Sequence, residues 1–293
     1  MASAWLQMLS KQWPHYLALI RFDKPIGTLL LLWPTLWALW MASGGMPSFK
    51  LLIIFTLGTF LMRSAGCVIN DYADRHWDGA VERTAQRPLA TGKVTEKEAL
   101  LLFAALCALA FVLVLFTNTL TVYLSFVAVA IAALYPFMKR YTHLPQAVLG
   151  AAFSMGIPMS FAAVQNQLPI AGWLIFIAAL MWTVAYDTFY AMVDRDDDLK
   201  VGIKSTAILF GDDDLNIIAL LQGSFLLTLA LAAKQLGMGY WFYSGMIAAA
   251  GLCVYQRLLA KERDRAGCFA AFLHNNWVGA VIFAGVAIDF AFR

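Results

Sequence analysis

The fold is decided by the stretch from Ala99 to Met138, which has the sequence ALLLFAALCALAFVLVLFTNTLTVYLSFVAVAIAALYPFM. No residue in it is charged, and Thr117-Asn118-Thr119 places a polar triplet near its middle. A single helix needs about 20 residues to cross the hydrocarbon core of a membrane. The stretch is twice that length, so it predicts two membrane-spanning helices joined by a tight turn at the triplet.

The rest of the chain has the same apolar character. Of its 293 residues, 61% are hydrophobic and 13% are charged, against about 25% charged in a soluble domain. Much of the surface must therefore face lipid, where only helices and closed barrels satisfy the backbone. Seven further apolar segments are Gly27–Ser43, Leu51–Asn70, the two parts of Tyr141–Tyr186 on either side of residues 165–169, Leu215–Ala233, Gln235–Gln256 and Ala266–Ile288. The sequence predicts an all-α, polytopic membrane protein with nine spans in one domain over residues 1–293.

The first 24 residues differ from the spans that follow them. Trp5–Ile20 is apolar but contains Lys11, Pro14 and His15, which predicts a helix lying at the membrane interface rather than crossing it. The charges of this region leave no long apolar core followed by a small-residue cleavage site, so we expect no removable signal peptide. Residues 1–24 are therefore predicted to be an N-terminal interfacial segment.

Basic residues are distributed unevenly between the two predicted faces of the membrane. Of the 21 Lys and Arg residues, 17 lie on the face that carries the N-terminus, and Arg63 lies within the second span. The other three, on the opposite face, are Lys50, Lys234 and Arg293. Positive charge in short loops marks the cytoplasmic side, so we expect a cytoplasmic N-terminus and a periplasmic C-terminus. The net charge of +3 gives no reason to expect a nucleic-acid partner.

The first of two acid clusters follows the second span. It has the sequence NDYADRHWD at residues 70–78 and begins a cytoplasmic segment predicted to run over residues 70–97. If the second span continues as a helix, Asn70, Asp74 and Asp78 recur every fourth residue. They then share one face with Arg63, which lies seven residues earlier.

The second cluster ends the sixth span and begins a segment predicted over residues 187–212. Asp187, Asp194 and Asp198 are seven and four residues apart, so they also share one helical face. Because both clusters follow even-numbered spans, they lie on the same cytoplasmic rim. This placement predicts that the chemistry of the protein occurs at that rim.

Carboxylates stacked in this way repel one another, and a cation would offset the repulsion. Hard oxygen ligands in two opposed groups suit Mg²⁺, which bridges protein carboxylates to substrate phosphates. One cluster alone is equally well explained as a solvated helix end, whereas two with the same spacing favour a metal site. A calcium-binding loop is excluded because Leu199 and Ser205 stand where it needs Gly and Glu. The predicted metal ligands are Asn70, Asp74, Asp78, Asp194 and Asp198.

Several basic side chains accompany the acids. Arg63 is a functional candidate because it lies within a span, with a structural ion pair to Asp187 as the alternative. Lys139 and Arg140 end the fourth span, where anchoring by positive charge competes with a role in binding an anion. Residues 87–93 and 200–205, the second with Lys204, follow the two clusters and are predicted to cover the site. The predicted substrate-binding residues are Arg63, Lys139, Arg140, Asp187 and Lys204.

At residues 70–78 and 194–198 the sequence resembles the UbiA superfamily of intramembrane aromatic prenyltransferases. That family carries an NDxxDxxxD motif after its second helix and a DxxxD motif after its sixth, and both are present here without departure. The resemblance covers nearly the whole chain and is closer still to the bacterial 4-hydroxybenzoate polyprenyltransferases within the family. The segments that carry this closer resemblance are Arg21–Gly27, Arg83–Gly92, Tyr135–Arg140, Tyr190–Arg195 and Gly202–Thr206.

The resemblance implies nine helices around a central cavity, Mg²⁺ as cofactor and a bacterial inner membrane. It also implies an enzyme of ubiquinone biosynthesis that transfers a polyprenyl group from its diphosphate to 4-hydroxybenzoate, at the ring carbon beside the hydroxyl. The implied catalytic residues are Asp74 and Asp194 as metal ligands, Asp71 to support the metal or activate the phenol, and Arg140 to hold a carboxylate or the diphosphate. A family member with another aromatic acceptor is the nearer alternative. A secondary transporter is the more distant one, since its sites lie near the bilayer midplane.

Overall fold

The computed structural model describes residues 12–293, and the regular structure in that range is helical. Residues 12–19 form a first helical segment. The helices that follow are α1 (Ile26–Ser43), α2 (Phe49–Asp74), α3 (Glu96–Val114), α4 (Thr119–Met138), α5 (Pro145–Ser154), α6 (Gly156–Gln165), α7 (Ile170–Val201), α8 (Thr206–Phe210), α9 (Asp214–Gln235), α10 (Tyr240–Leu259) and α11 (Arg265–Ala291). Short 3₁₀ helices lie at Asp78–Ala80 and Gly211–Asp213.

In the described part of the chain, eight helical segments are long and apolar enough to cross a membrane, with α5–α6 and α8–α9 each counting as one. The prediction of an all-α, multi-pass membrane protein is therefore confirmed. The remaining predicted span coincides with α10, which has 20 residues. The tyrosines of α10 and its Gln256-Arg257 pair make it less apolar than the other eight.

Helix α10 packs closely along α11 through two glycines. A methyl group added to Gly245 would lie 2.7 Å from the carbonyl oxygen of Val281 and 3.2 Å from the Cα atom of Gly285. Backbones approach this closely only where side chains are absent, which is a common way for membrane helices to associate. The pair therefore behaves as one unit despite the lower hydropathy of α10.

The fifth predicted span is broken inside the membrane. Pro158 has no N–H to bond to the carbonyl of Ser154, and α5 ends at that residue. Helix α6 then begins at Gly156, where any larger side chain would collide with Thr35 of α1. The break thus allows α6 to pack tightly against the first span.

The predicted turns at residues 117–119 and 165–169 are confirmed. The side chain of Asn118 accepts a hydrogen bond of 3.0 Å from the backbone N–H of Thr121 and so caps α4. Asn166 ends α6 in a left-handed conformation, which asparagine adopts more readily than most residues.

A cluster of buried aromatic side chains packs around α7 at the centre of the bundle. The ring of Trp182 lies 5.3 Å from that of Trp37 and 5.8 Å from that of Phe225. Both indole N–H groups donate to α11, from Trp182 to Asn275 over 2.9 Å and from Trp37 to the carbonyl of Gly279 over 3.0 Å. Because α7 carries the second acid cluster, this packing fixes the position of that cluster relative to α1, α9 and α11.

The predicted interfacial helix, Trp5–Ile20, lies partly outside the described residues. In the described part, Leu19 is fully buried, whereas Trp13 is 61% exposed. The Tyr16 hydroxyl donates a hydrogen bond of 2.7 Å to Glu98 at the start of α3. The segment is therefore docked on the bundle, and its place on a membrane surface stays a prediction.

Candidate active site

Two adjoining cavities lie at and below the ends of α2 and α7. The larger, of about 800 Å³, is lined mainly by apolar residues of α1–α4, α5–α6, α7 and α11. The smaller, of about 130 Å³, is lined mainly by charged and polar residues. The residues that line both cavities are Asn70, Arg83, Arg87, Tyr135, Asp187 and Tyr190. The site therefore has a charged end that leads into an apolar body.

The first acid cluster is not a continuous helix. Helix α2 ends at Asp74, and Asp78 lies in the following 3₁₀ turn. The prediction that Asp78 extends the helical face of Asn70 and Asp74 is therefore wrong. The chain turns so that Asp78 meets Arg87, whose N–H groups lie 3.0 Å from both oxygens of Asp78. Asn70, Asp74 and Asp78 nevertheless line the same polar pocket.

Asp71 lies in a buried ion-pair network. It is 0% exposed, and Arg21 donates two hydrogen bonds to it, of 2.8 and 2.9 Å. Arg87 lies 3.0 Å from the same carboxylate. Asp71 thus joins the N-terminal segment to the loop after α2.

The two carboxylate oxygens of Asp74 have different surroundings. Its Oδ2 atom pairs with Lys139 at the end of α4, while its buried Oδ1 atom has no hydrogen-bond partner in the part of the chain that the structure describes. A buried carboxylate oxygen without a partner is costly. This oxygen is available to a ligand in the polar pocket.

Burial raises the pKa of Asp78 to about 6, although Arg87 acts in the opposite direction. The neighbouring carboxylates of Asp74 and Asp71 raise this pKa further. The cluster is thus short of positive charge even with its arginines in place, which is the condition that a bound cation would relieve.

The second cluster lies on one uninterrupted helix, as predicted. Asp187, Asp194 and Asp198 all belong to α7 and all line the polar pocket. Arg83 donates to both oxygens of Asp194, with Nε 3.0 Å from Oδ1 and Nη2 2.5 Å from Oδ2. Asp198 has no ion pair within 4 Å among residues 12–293.

The Arg83 side chain also contacts an aromatic ring. Its guanidinium lies 4.5 Å from the ring centre of Tyr190, one turn before Asp194 on α7. A guanidinium above an aromatic face is attracted to it. The loop after α2 is thereby fastened across the polar pocket to the second cluster.

Arg63 lies in the wall of the large cavity. It donates to the thiol of Cys67, and its buried Nε atom has no hydrogen-bond partner within the described residues. Its guanidinium lies against Gly27, where any side chain would collide with it. Arg63 and Asp187 form no ion pair within 4 Å in the described range, so the alternative of a structural pair is not favoured.

Arg140 lies behind the first cluster and lines neither cavity. Its guanidinium is 4.4 Å from the ring centre of Trp77 and 5.4 Å from that of Phe137, and it donates to the carbonyl of Ala73. Lys139 and Arg140 therefore engage successive residues of α2, Asp74 and Ala73. This geometry favours a positioning role for Arg140.

Lys204 lines the polar pocket from the segment after α7. Its backbone N–H donates to the carbonyl of Lys139 over 3.0 Å, and its ammonium lies 3.4 Å from the carbonyl of Tyr141. The predicted cover segment is thus attached to the end of α4.

Sequence reasoning missed several residues of the site. Arg21, Arg83 and Tyr190 were not predicted as site residues, and Arg87 was predicted only as part of a cover. One signal was present, because buried acids require counter-charges and Arg83 and Arg87 are four residues apart in the loop after the first cluster.

Comparison with known proteins identifies the family to which the chain belongs. Residues 31–278 match the UbiA prenyltransferase family, and the chain belongs to that family. The chain is 61% identical over 278 residues to a 4-hydroxybenzoate octaprenyltransferase of Marinobacter nauticus, covering 94% of this chain and 95% of the relative. It is 59% identical over 288 residues to the protein of the same name from Pseudomonas syringae pv. syringae, covering 98% and 97%.

Solved structures share the fold. The apo structure of a UbiA homolog from Aeropyrum pernix K1 has a TM-score of 0.78 at 25% identity, covering 89% of this chain and 97% of that one. The UbiA homolog from Archaeoglobus fulgidus bound to GPP and Mg²⁺ has a TM-score of 0.74 at 18% identity, covering 94% and 99%. At these identities the likeness concerns the architecture.

Proposed function

We propose that this protein transfers a polyprenyl group from polyprenyl diphosphate to 4-hydroxybenzoate and releases diphosphate, in ubiquinone biosynthesis. The new bond forms at the ring carbon beside the hydroxyl. The observation that carries the proposal is the identity of about 60% to proteins named for this reaction, over nearly the full length of both chains. The joined charged and apolar cavities provide the two environments that a prenyl diphosphate requires.

The oxygen atoms that line the polar pocket are of the type that binds Mg²⁺. Carboxylate and amide oxygens surround the polar pocket, and one of them, the buried Oδ1 atom of Asp74, lacks a hydrogen-bond partner among residues 12–293. Within residues 12–293, no three acidic, histidine or cysteine side chains stand close enough to hold a metal by themselves. Mg²⁺ is usually bound by one or two protein carboxylates together with substrate phosphates, so a complete set of protein ligands is not required.

The residues that would hold the ion are Asn70, Asp74, Asp78, Asp194 and Asp198. When bound there, Mg²⁺ supplies Lewis-acid stabilisation of the leaving diphosphate. The homolog from Archaeoglobus fulgidus that binds GPP with Mg²⁺ shares the fold and supports this choice of metal.

The basic residues of the polar pocket bind the diphosphate. Arg83, Arg87, Lys139 and Lys204 all line it, and guanidinium groups bind phosphate oxygens in a bidentate manner. As the carbon–oxygen bond breaks, negative charge develops on the diphosphate, and these cations stabilise it. In this structure Arg83 pairs with Asp194 and Lys139 pairs with Asp74. When the diphosphate binds, each of these two cations would turn from its carboxylate to a phosphate oxygen.

The large cavity holds the apolar tail and the acceptor. Its apolar walls suit a prenyl chain, and they exclude water from the allylic cation. Arg63 lies in these walls with a buried N–H group that has no hydrogen-bond partner among residues 12–293, so we assign it to the carboxylate of 4-hydroxybenzoate. The ring carbon beside the hydroxyl is electron-rich and attacks the cation.

We further propose that the protein resides in the bacterial inner membrane with its N-terminus and both acid clusters on the cytoplasmic side. The distribution of basic residues supports this orientation. A reporter fused after Arg293 should behave as periplasmic, and one inserted near Lys93 as cytoplasmic. The same signal from both positions would contradict the proposed orientation.

The reaction is tested with purified protein in lipid, octaprenyl diphosphate and ring-labelled 4-hydroxybenzoate. We expect a lipid-soluble labelled product when Mg²⁺ is present and none when it is chelated. Label that stays in the aqueous phase while other aromatic acids are prenylated would assign the protein another acceptor within the family.

A further inference from the structure

Three acidic residues line the large cavity, and they differ in what engages them. They are Asp23, Asp71 and Asp187. Asp71 is fully buried and holds Arg21 and Arg87, so its oxygens are occupied. Asp23 is exposed near the N-terminal segment. Asp187 alone is half-buried within the bundle and has no ion pair within 4 Å in the described part of the chain.

Asp187 also occupies a distinct position between the two cavities. It is the one acidic residue that lines both the polar pocket and the large cavity. On α7 it lies seven residues before Asp194, or about 10 Å at 1.5 Å per residue. A carboxylate so far along the helix does not share a ligand with Asp194. It lies where the charged pocket meets the apolar cavity.

The neighbours of Asp187 leave its carboxylate available. Arg83 and Arg63 act on it electrostatically, but Arg83 is paired with Asp194 and Arg63 donates to the thiol of Cys67. Gln146 lies against it and is itself held by the backbone N–H of Thr206 over 3.0 Å. The carboxylate thus lies against an amide and is stabilised electrostatically by two arginines, and among residues 12–293 no ion pair within 4 Å occupies it.

We infer that Asp187 is the base that accepts the proton lost from the prenylated ring carbon. This inference rests on the proposed function. When the carbon–oxygen bond of the prenyl diphosphate breaks, its electron pair leaves with the diphosphate. A π-electron pair of the ring then forms the new carbon–carbon bond, the carbon–hydrogen pair returns to the ring, and the proton passes to an oxygen of Asp187.

Asp187→Asn removes the base while keeping the size and the hydrogen bonds of the side chain. General bases contribute about 10²–10⁴-fold to turnover, so we expect kcat to fall within that range with the KM for both substrates nearly unchanged. Asp187→Glu should recover part of the loss. Asp213→Asn, which changes an exposed acid that lines neither cavity, is the matched control and should keep wild-type kcat.

The decisive readout is the isotope effect of 4-hydroxybenzoate that carries deuterium at both carbons beside the hydroxyl. In the wild type we expect an effect near one, because ionisation precedes proton loss. In Asp187→Asn we expect an effect well above one, together with a larger fraction of prenyl alcohol from capture of the cation by water.

An Asp187→Asn variant with wild-type kcat would overturn the inference. A variant that loses activity only through a raised KM for 4-hydroxybenzoate, with an isotope effect of one, would also overturn it and make Asp187 a partner of Arg63. A wild-type protein that prenylates no 4-hydroxybenzoate would instead refute the proposed function. The two failures are therefore distinguishable.

Discussion

The two acid clusters of this molecule are built in opposite ways. The first is divided between the end of α2 and a 3₁₀ turn, and its carboxylates are held by Arg21, Arg87 and Lys139 from three separate segments. The second lies on one helix whose packing around Trp182 fixes it in the centre of the bundle. Among residues 12–293, Arg83 alone forms an ion pair with a carboxylate of the DxxxD motif, at Asp194.

The difference indicates where each cluster obtains its geometry. The first depends on ion pairs between distant parts of the chain, so changes to its basic partners should alter both folding and activity. The second obtains its geometry from the helix, so changes to its basic partner should alter activity alone.

Asp74→Asn and Asp194→Asn should each reduce kcat about a thousandfold or more. Each removes an anionic ligand of a metal whose charge stabilisation is worth several kcal/mol, at about 1.4 kcal/mol per tenfold change in rate. Turnover is measured in protein that elutes as a single folded species. Near-normal turnover in either variant would remove the shared metal site.

Arg87→Gln should destabilise the fold more than Arg83→Gln does. Removing one partner of a buried ion pair costs about 3–5 kcal/mol, and Arg87 serves two buried acids, Asp71 and Asp78. Arg83 is more exposed and holds a carboxylate that its helix already orients. Thermal unfolding in the same detergent compares the two, and equal shifts would break the contrast between the clusters.

Arg140→Lys should lower activity roughly tenfold, with little change in the KM for 4-hydroxybenzoate. Lysine keeps the charge but loses the planar stack on Trp77 and the fixed hydrogen bond to Ala73. Trp77→Leu should have a similar effect, and the double variant should be little worse than either single variant, because the two residues act as one contact. Additive losses with a raised acceptor KM would return Arg140 to substrate binding.

Lys204→Met should have the smallest effect, a loss within about tenfold. Its ammonium is on the rim of the polar pocket, and exposed charges contribute at most about 1 kcal/mol. The change should appear in the KM for the prenyl diphosphate and weaken at high salt. A loss as large as that of Asp74→Asn would contradict this minor role of Lys204 among the cations that bind the diphosphate.

Much of the fold was predictable because hydropathy is a local property. The charge-free length of residues 99–138 gave α3 and α4 with their turn, and the spacing on the sixth span gave the helical face of Asp187, Asp194 and Asp198. The 3₁₀ turn at Asp78 was not predictable, because it depends on Arg87, which approaches only after the loop folds back.

The counter-ions of the site escaped sequence reasoning for the same reason. Arg21 is 50 residues from Asp71, and Arg83 is 111 residues from Asp194. No periodicity connects residues so far apart. Arg140 was predicted to bind substrate because it is positively charged and ends the fourth span. Its stacking on Trp77 could not be predicted, because that contact forms only in the tertiary fold.

The two acid clusters, although differently built, line one polar pocket, and we propose that they bind metal and diphosphate together as one site. The most direct measurement is Mg²⁺-dependent binding of a non-ionisable prenyl diphosphate analogue to the wild type, Asp74→Asn, Asp194→Asn and the double variant. Shared binding predicts that each single variant loses the Mg²⁺-dependent part of the affinity as completely as the double variant does. Partial losses that add up in the double variant would show two independent sites and contradict the account.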